Sequence, residues 1–387
     1  MSQIHVDALH SESGSNSNIE LDNSRNTTCK GNLTVDGNIA VTGTGLTDTK
    51  SFRNLIINGA MEIDQRNGGS SITPTVDNTY TLDRFKARLN VASKYSIQKV
   101  TDAPSGLYSS FKVTSAAATT PGTNDYYQIN HGIEGYNVQP LDLGLATAKQ
   151  FTLSFWVKSS LTGTFGGAYS NNSGDRFYAW TYTISSADTW EKKSITITGA
   201  TDGSWLKTNG AGLFVYWTLG AGSGVQTSAG SWGTSFKRGP SGATDVVATS
   251  GATWQITGVQ LEVGDSATDF EHKKYSDELK DCRRYFYKEV SINPWGNAGY
   301  KSSTDIMGVK EFPVSMRAAP TTTGDSFAIR IDGGGQLQSS SSGTLSATRT
   351  SEECVQWRMS GFSSLSSGDG LYTCAVWTGS VTFDAEL

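Results

Sequence analysis

The residues best suited to chemistry in this chain are aromatic. Tyr178, Trp180 and Tyr182 recur at every second position, with Phe177 and Ala179 on the alternate positions. In an extended strand that spacing puts three rings on one face, about 7 Å apart. Such a row suits the flat C–H faces of successive pyranose rings, which stack on aromatic planes. Its alternative role is to close the core of a sheet. Trp156 stands among polar residues on the face of Phe151–Lys158 opposite Phe151, Leu153, Phe155 and Val157, which places it outside the core, against a ligand or another subunit. Trp205, Trp232 and Trp295 lie in Gly- and Ser-rich segments expected to be loops. There an aromatic either anchors the loop or meets a ligand.

Signatures of covalent and metal catalysis do not occur. The chain has no Gly-x-Ser-x-Gly elbow, no His-Glu-x-x-His and no phosphate loop, and His5, His10, His131 and His272 are dispersed. A carboxylate pair of the glycosidase kind forms in space rather than in sequence, so polysaccharide hydrolysis stays as an enzymatic alternative. Cys29, Cys282, Cys354 and Cys374 have no Cys-x-x-Cys spacing and no nearby His, which argues against zinc. Free thiols are expected, with Cys354 and Cys374 the one pair worth testing for a bridge. No catalytic residue, metal or cofactor is expected.

Strands must position these aromatics. Of 387 residues only 17% are charged, and 43 are glycine, with Thr and Ser filling much of the remainder. β-Branched and aromatic residues favour strands, and Gly, Asn and Ser make turns. Ser194–Thr198 alternates cleanly, whereas Leu213-Phe214-Val215-Tyr216-Trp217 is apolar on both faces and reads as a central strand covered on both sides. In Trp254–Val263 the apolar parity switches from even to odd, and a β-bulge near Gly258 would restore one face. The one short helix expected is Ser276–Phe286, with Ser276 as N-cap and Leu279, Cys282 and Phe286 on its packed face.

The net charge of −5 and the absence of any Lys/Arg concentration exclude a nucleic-acid groove. No apolar run approaches the roughly 20 residues of a membrane span, and Met1–Glu20 is too polar for a signal peptide, so synthesis in a cytoplasm without membrane insertion is expected. Residues 1–50 differ from the rest. They are polar, with a linker-like Ser11–Asn18 and short alternations at Leu33, Val35, Ile39 and Val41 around an Asp36-Gly37-Asn38 turn. Strands this short bury no core alone. They suit a segment in which identical chains complete one another.

Asn54-Leu55-Ile56-Ile57-Asn58-Gly59-Ala60-Met61-Glu62 resembles the opening strand of jelly rolls of the carbohydrate-binding-module kind, with Met61 where Phe is usual. Ile133-Glu134-Gly135, Phe151–Ser160, Thr189–Lys193, Ile256–Glu262, Ala267–Glu271 and Cys282–Phe286 resemble a version common in tail-fibre and minor structural proteins of tailed bacteriophages. The flanks Met1–Gly45 and Phe312–Arg317 through Asp384–Leu387 are similar to those of the same proteins. The resemblance covers about Asn54–Phe286. The change of texture at Phe52 and the return to Gly- and Ser-rich β patterning from Glu289 set a short oligomeric N-terminal β segment (1–50) and a smaller C-terminal β-domain (288–387) on either side of it, in an all-β chain. The resemblance implies that 51–287 is a jelly-roll β-sandwich. It also implies a non-enzymatic virion protein: a trimeric tail fibre or receptor-binding protein, docked to phage tail or capsid proteins through its N-terminus and contacting a host-surface glycan. A capsid decoration or head-fibre protein and a polysaccharide-degrading tailspike are the alternatives. The closing acidic pattern of the calcium site often found in such jelly rolls is not evident in Thr257–Glu262, so no metal is expected at Glu62.

Overall fold

The computed structural model describes residues 53–290, 294–324, 329–333, 336–339, 344–362, 372–376 and 380–387, together with three short strands near the N-terminus. The chain divides into two compact units, Met1–Ser51 and Phe52–Leu387. In the first, Leu9–His10, Ser17–Leu21 and Thr27–Cys29 form an antiparallel three-stranded sheet. Ser17 and Asn18, read as linker, belong to its middle strand. The expected alternation from Leu33 to Val41 lies outside the described residues.

The second unit is built on a jelly-roll sandwich of two antiparallel sheets. One has seven strands, in the order Trp232–Gly233, Phe177–Ile184, Gly163–Ser170, Ala211–Ala221, Tyr126–Glu134, Phe85–Leu89 and Thr79–Tyr80. The other has five, in the order Glu191–Thr198, Gln150–Ser159, Thr253–Val263, Ser110–Ser115 and Tyr95–Val100. Alternation decides the core: Phe151, Leu153, Phe155 and Val157 are fully buried and face Leu213, Val215, Trp217 and Leu219 of the opposing sheet within one cluster. Phe155 sits at the centre, its ring 5.2 Å from Tyr182, 6.0 Å from Trp217 and 6.1 Å from Trp180.

Two expected irregularities have physical causes in this arrangement. Pairing of Thr253–Val263 with Gln150–Ser159 slips between Thr257 and Gln260, with Gly258 at φ 59°. This bulge brings Trp254, Ile256, Val259 and Leu261 to one core. Ala211–Ala221 is central and covered on both faces, because its outward Phe214 and Tyr216 pack with Phe177 and Phe236.

The helix is shorter and earlier than expected, Tyr275–Arg283, with Lys274 at the N-cap position and no side-chain cap. Ser276 therefore lies in the first turn, and Phe286 has left the helix for the strand Phe286–Val290. A second, four-residue helix spans Gly135–Val138. Cys282 packs with Ile57, Ile63 and Tyr285, and burial pushes its thiol well above the ordinary range.

The boundary expected at 287/288 falls inside a strand. Phe286–Val290 pairs with Ser380–Asp384, which also pairs with Thr321–Gly324. The remaining C-terminal strands form a second sheet, in which Ile329–Gly333 pairs with Gln336–Ser339. A separate core contains Trp357, Met359, Ile306 and Phe383. The chain then returns to the sandwich. Glu386 makes ion pairs with fully buried Arg84 and with Arg66, and Tyr80 Oη and Lys86 Nζ donate to the Leu387 carbonyl at 2.6 and 2.8 Å.

Candidate functional site

The aromatic row does not form a platform. Trp180 is 2% exposed and Tyr182 7%, both inside the sandwich, and Trp254 Nε1 donates to Tyr182 Oη at 2.9 Å. Periodicity put the three rings on one face, and the partner sheet covers that face. Phe177 and Ala179 point the other way, beneath Phe236.

Tyr178, at the end of the row, is instead brought together with Trp232 and Trp205. Trp232 lies 5.3 Å from Tyr178 and 5.8 Å from Trp205, edge to face in both contacts. Trp232 is on the edge strand of the sheet rather than in a loop. Its indole donates to the Thr198 carbonyl, and that of Trp205 to Asp202, both at 2.8 Å. Half-buried rings with their only donors used locally hold loops in place. Trp156 does lie outside the core, half-buried on the outer face of its sheet: a Cβ added at Gly258 would sit 3.1 Å from its Cδ1. Nearby, Trp190 Nε1 donates to Asp102, which pairs with Lys158. Trp295 is on Pro294–Ser302, and its side chain lies outside the described residues. Cys354 carries a free thiol.

Exposed rings converge elsewhere. Tyr108 and Tyr275, 68% and 59% exposed, line one groove of about 430 Å³ together with Glu62, Asp64, Gln65 and Lys99. The wall from Ile63 to Gly69 is fixed by backbone-directed hydrogen bonds. Asn58, at φ 62°, spans the turn that enters the groove: its Nδ2 donates to Ile63 O at 2.8 Å and Asp83 O at 3.0 Å, while its Oδ1 accepts from Ile63 N at 2.9 Å. Asn54 acts likewise, accepting from Leu261 N and donating to Val259 O. Asn54 thus pins the opening motif onto the bulged strand, and Asn58 ties it to Ile63 and Asp83. Asp64 accepts from Asn67 N at 2.9 Å and Gly69 N at 2.7 Å, closing a loop in which Gly68 and Gly69 take positive φ. Gln65 donates to Phe286 O and to buried Asp83, whose carboxyl is raised to about 6 by burial, a rise limited by the Gln65 hydrogen bonds. Tyr275 opens the helix and Tyr108 sits just after the Gly106 turn.

The groove therefore offers two accessible rings above a floor with little freedom to move. Glu62 supplies a carboxylate on its lining and Lys99 an ammonium, itself donating to the Glu62 carbonyl. Two accessible rings beside a carboxylate have the chemistry needed to stack a flat, hydroxylated ligand and accept its hydroxyl protons. Reading the sequence missed both tyrosines. The available signal was two tyrosines in polar or Gly-rich surroundings where no apolar pattern requires them. Among the described residues no cluster of three or more His, Cys, Asp or Glu side chains could hold a metal. His131 is buried beside Phe85, and burial holds its imidazole well below its ordinary pKa.

No family model matches the chain, and no curated protein does. Among solved structures it is similar to the enzymatically active domain of tailspike protein 4 of bacteriophage CBA120, at 12% identity and a TM-score of 0.30. That match covers 55% of this chain and 22% of the tailspike. It is also similar to the family 11 carbohydrate-binding module of a Clostridium thermocellum cellulosomal cellulase, at 13% identity and TM-score 0.26, over 53% of this chain and 99% of the module. The xylan-binding domain of Paenibacillus barcinonensis Xyn10C matches at 9% identity and TM-score 0.26, over 52% and 99% of the two chains.

Proposed function

We propose that this chain is a non-enzymatic glycan-binding protein of a tailed-phage virion, a homotrimeric fibre whose jelly roll meets host-surface saccharides in the Tyr108–Tyr275 groove. The observation that carries the binding role is that pair of exposed rings over a pinned, polar floor. The virion setting rests on the resemblance of the Asn54–Phe286 motifs and of the flanking segments to phage fibre proteins. Residues 1–50 attach the protein to the particle in this reading, and the distal β-domain extends towards the host. Stacking with hydroxyl hydrogen bonds gives weak affinity per site on an open surface, and three copies raise the effective concentration enough for stable attachment. Binding of neutral glycans there depends little on salt, because screening acts on charge.

A glycan array probed with full-length protein and with the Tyr108→Ala/Tyr275→Ala variant tests the groove. The expected result is at least about tenfold weaker binding of neutral oligosaccharides by a variant that melts normally. Undiminished binding would remove the groove from the mechanism, and release of shortened saccharide would move the chain to the depolymerase class. Light scattering that gave a stable monomer at micromolar concentration would end the trimer proposal. Antibody labelling of intact particles distinguishes a tail position from one on the capsid.

A further inference from the structure

A second recess, of about 800 Å³, opens where the C-terminal strands return to the sandwich. Its floor is one face of the sheet formed by Phe286–Val290, Ser380–Asp384 and Thr321–Gly324. Register sets the floor: Lys288, Thr382 and Thr323 stand directly opposite one another in one row, and Phe286, Asp384 and Thr321 in the next. The alternate residues Tyr287, Val381 and Phe383 belong to the core on the other side.

The charges around this recess do not cancel. Arg66, its guanidinium 3.5 Å from the Phe286 ring centroid, pairs with Asp384 at 3.1 Å and Glu386 at 3.3 Å, and Glu386 also pairs with Arg84. Two carboxylates are thus matched by two guanidinium groups. Lys288 and Arg317 line the same recess, and their described partners are carbonyl oxygens: Arg66 O for Lys288, and Ala385 O, Asn209 O and Glu386 O for Arg317. Carbonyls satisfy donors without removing charge. Two positive charges therefore stand over a face of threonine hydroxyls in a protein whose net charge is −5.

We infer that this recess is a binding site for an acidic saccharide, with the carboxylate of the ligand directed to Lys288 and Arg317 and its hydroxyls to Thr321, Thr323 and Thr382. The volume lies within the range of about 300–1,000 Å³ typical of ligand pockets. A charge-assisted hydrogen bond is roughly twice as strong as a neutral one, so the carboxylate decides the selectivity. The site is separate from the tyrosine groove, and its binding weakens with salt whereas neutral-glycan binding in the groove depends little on it.

Calorimetric titration of full-length protein with trigalacturonate and 3′-sialyllactose, against neutral galactotriose, tests the inference. At least one acidic probe should bind at least about tenfold tighter than galactotriose and weaken at least severalfold as salt rises from about 20 to 200 mM. Lys288→Gln and Thr323→Val should each weaken that probe at least about threefold with an unchanged melting temperature, and Tyr108→Ala/Tyr275→Ala should leave it unaffected. Equal binding of acidic and neutral probes, no acidic binding at millimolar concentration, or full binding by folded Lys288→Gln protein would each overturn the inference. Loss through the tyrosine variant would transfer the acidic ligand to the groove.

Discussion

The inner face of the seven-stranded sheet and the Tyr108–Tyr275 groove use the same ring chemistry for opposite ends. Inside, Trp180, Tyr182 and Trp217 crowd around Phe155, and all four are buried. In the groove the rings are held by their backbones while their faces stay in water. What separates the two is the support. A strand between two sheets offers its aromatics to packing, whereas a helix start and a loop after a glycine turn offer theirs to solvent. Aromatic periodicity in a β-sandwich therefore locates the core before it locates a ligand.

Trp180→Ala is expected to give the largest stability loss, about 3–5 kcal/mol, because a fully buried indole leaves a cavity among rings that cannot collapse. Denaturant unfolding measures it, and a loss below about 1 kcal/mol would show that the row is not core. Next is a pH effect beneath the groove. The Asp83 carboxyl titrates near 6 when folded, above its ordinary 3.8, so the folded state holds a proton that the unfolded state has released between those values. Stability from this group is present at low pH and is lost as pH rises through about 6. Relative to Asp83→Asn, the wild-type protein should lose about 2 kcal/mol between pH 4 and 6, read as the difference between two stability–pH curves. Parallel curves would show that Asp83 is already ionised in the fold.

Trp232→Ala tests the intermediate case, a half-buried anchor at the sheet edge. About 1–2 kcal/mol should be lost with groove binding unchanged, whereas lost glycan binding with unchanged stability would make that cluster the ligand site. Tyr108→Ala and Tyr275→Ala should be smallest in stability, within about 0.5 kcal/mol each, and largest in binding. Thermal melts and neutral-oligosaccharide titrations on one preparation resolve the two effects. If these variants unfold the protein, the rings are structural and the contrast with the core disappears.

Much of the fold was legible in local pattern. Alternation in Phe151–Lys158 identified its buried face and left Trp156 outside it. The parity switch in Trp254–Val263 required a bulge, and the register slip at Gly258, which takes positive φ, returns Val259 and Leu261 to the core. The double-faced apolar run at Leu213–Trp217 required the cover that Phe236 and its loop provide. Less legible were the edges of elements. Ser276 looked like an N-cap, yet the helix begins at Tyr275 without a side-chain cap, and its packed residues Leu279 and Cys282 meet Ile57 and Ile63 of the opening segment.

By itself, then, the sequence determined a β-rich chain of strands and turns, a change of texture near residue 51, and which residues of each strand share a face. A two-residue period is a local property of the backbone, readable wherever it runs. Tertiary structure alone decided which of two faces met a partner sheet, turning Trp180 and Tyr182 inward. It also brought Tyr108 to Tyr275 and set Lys288 and Arg317 beside the threonine face. Those placements depend on contacts between segments far apart in the chain, and residue type and spacing carry no record of such distances.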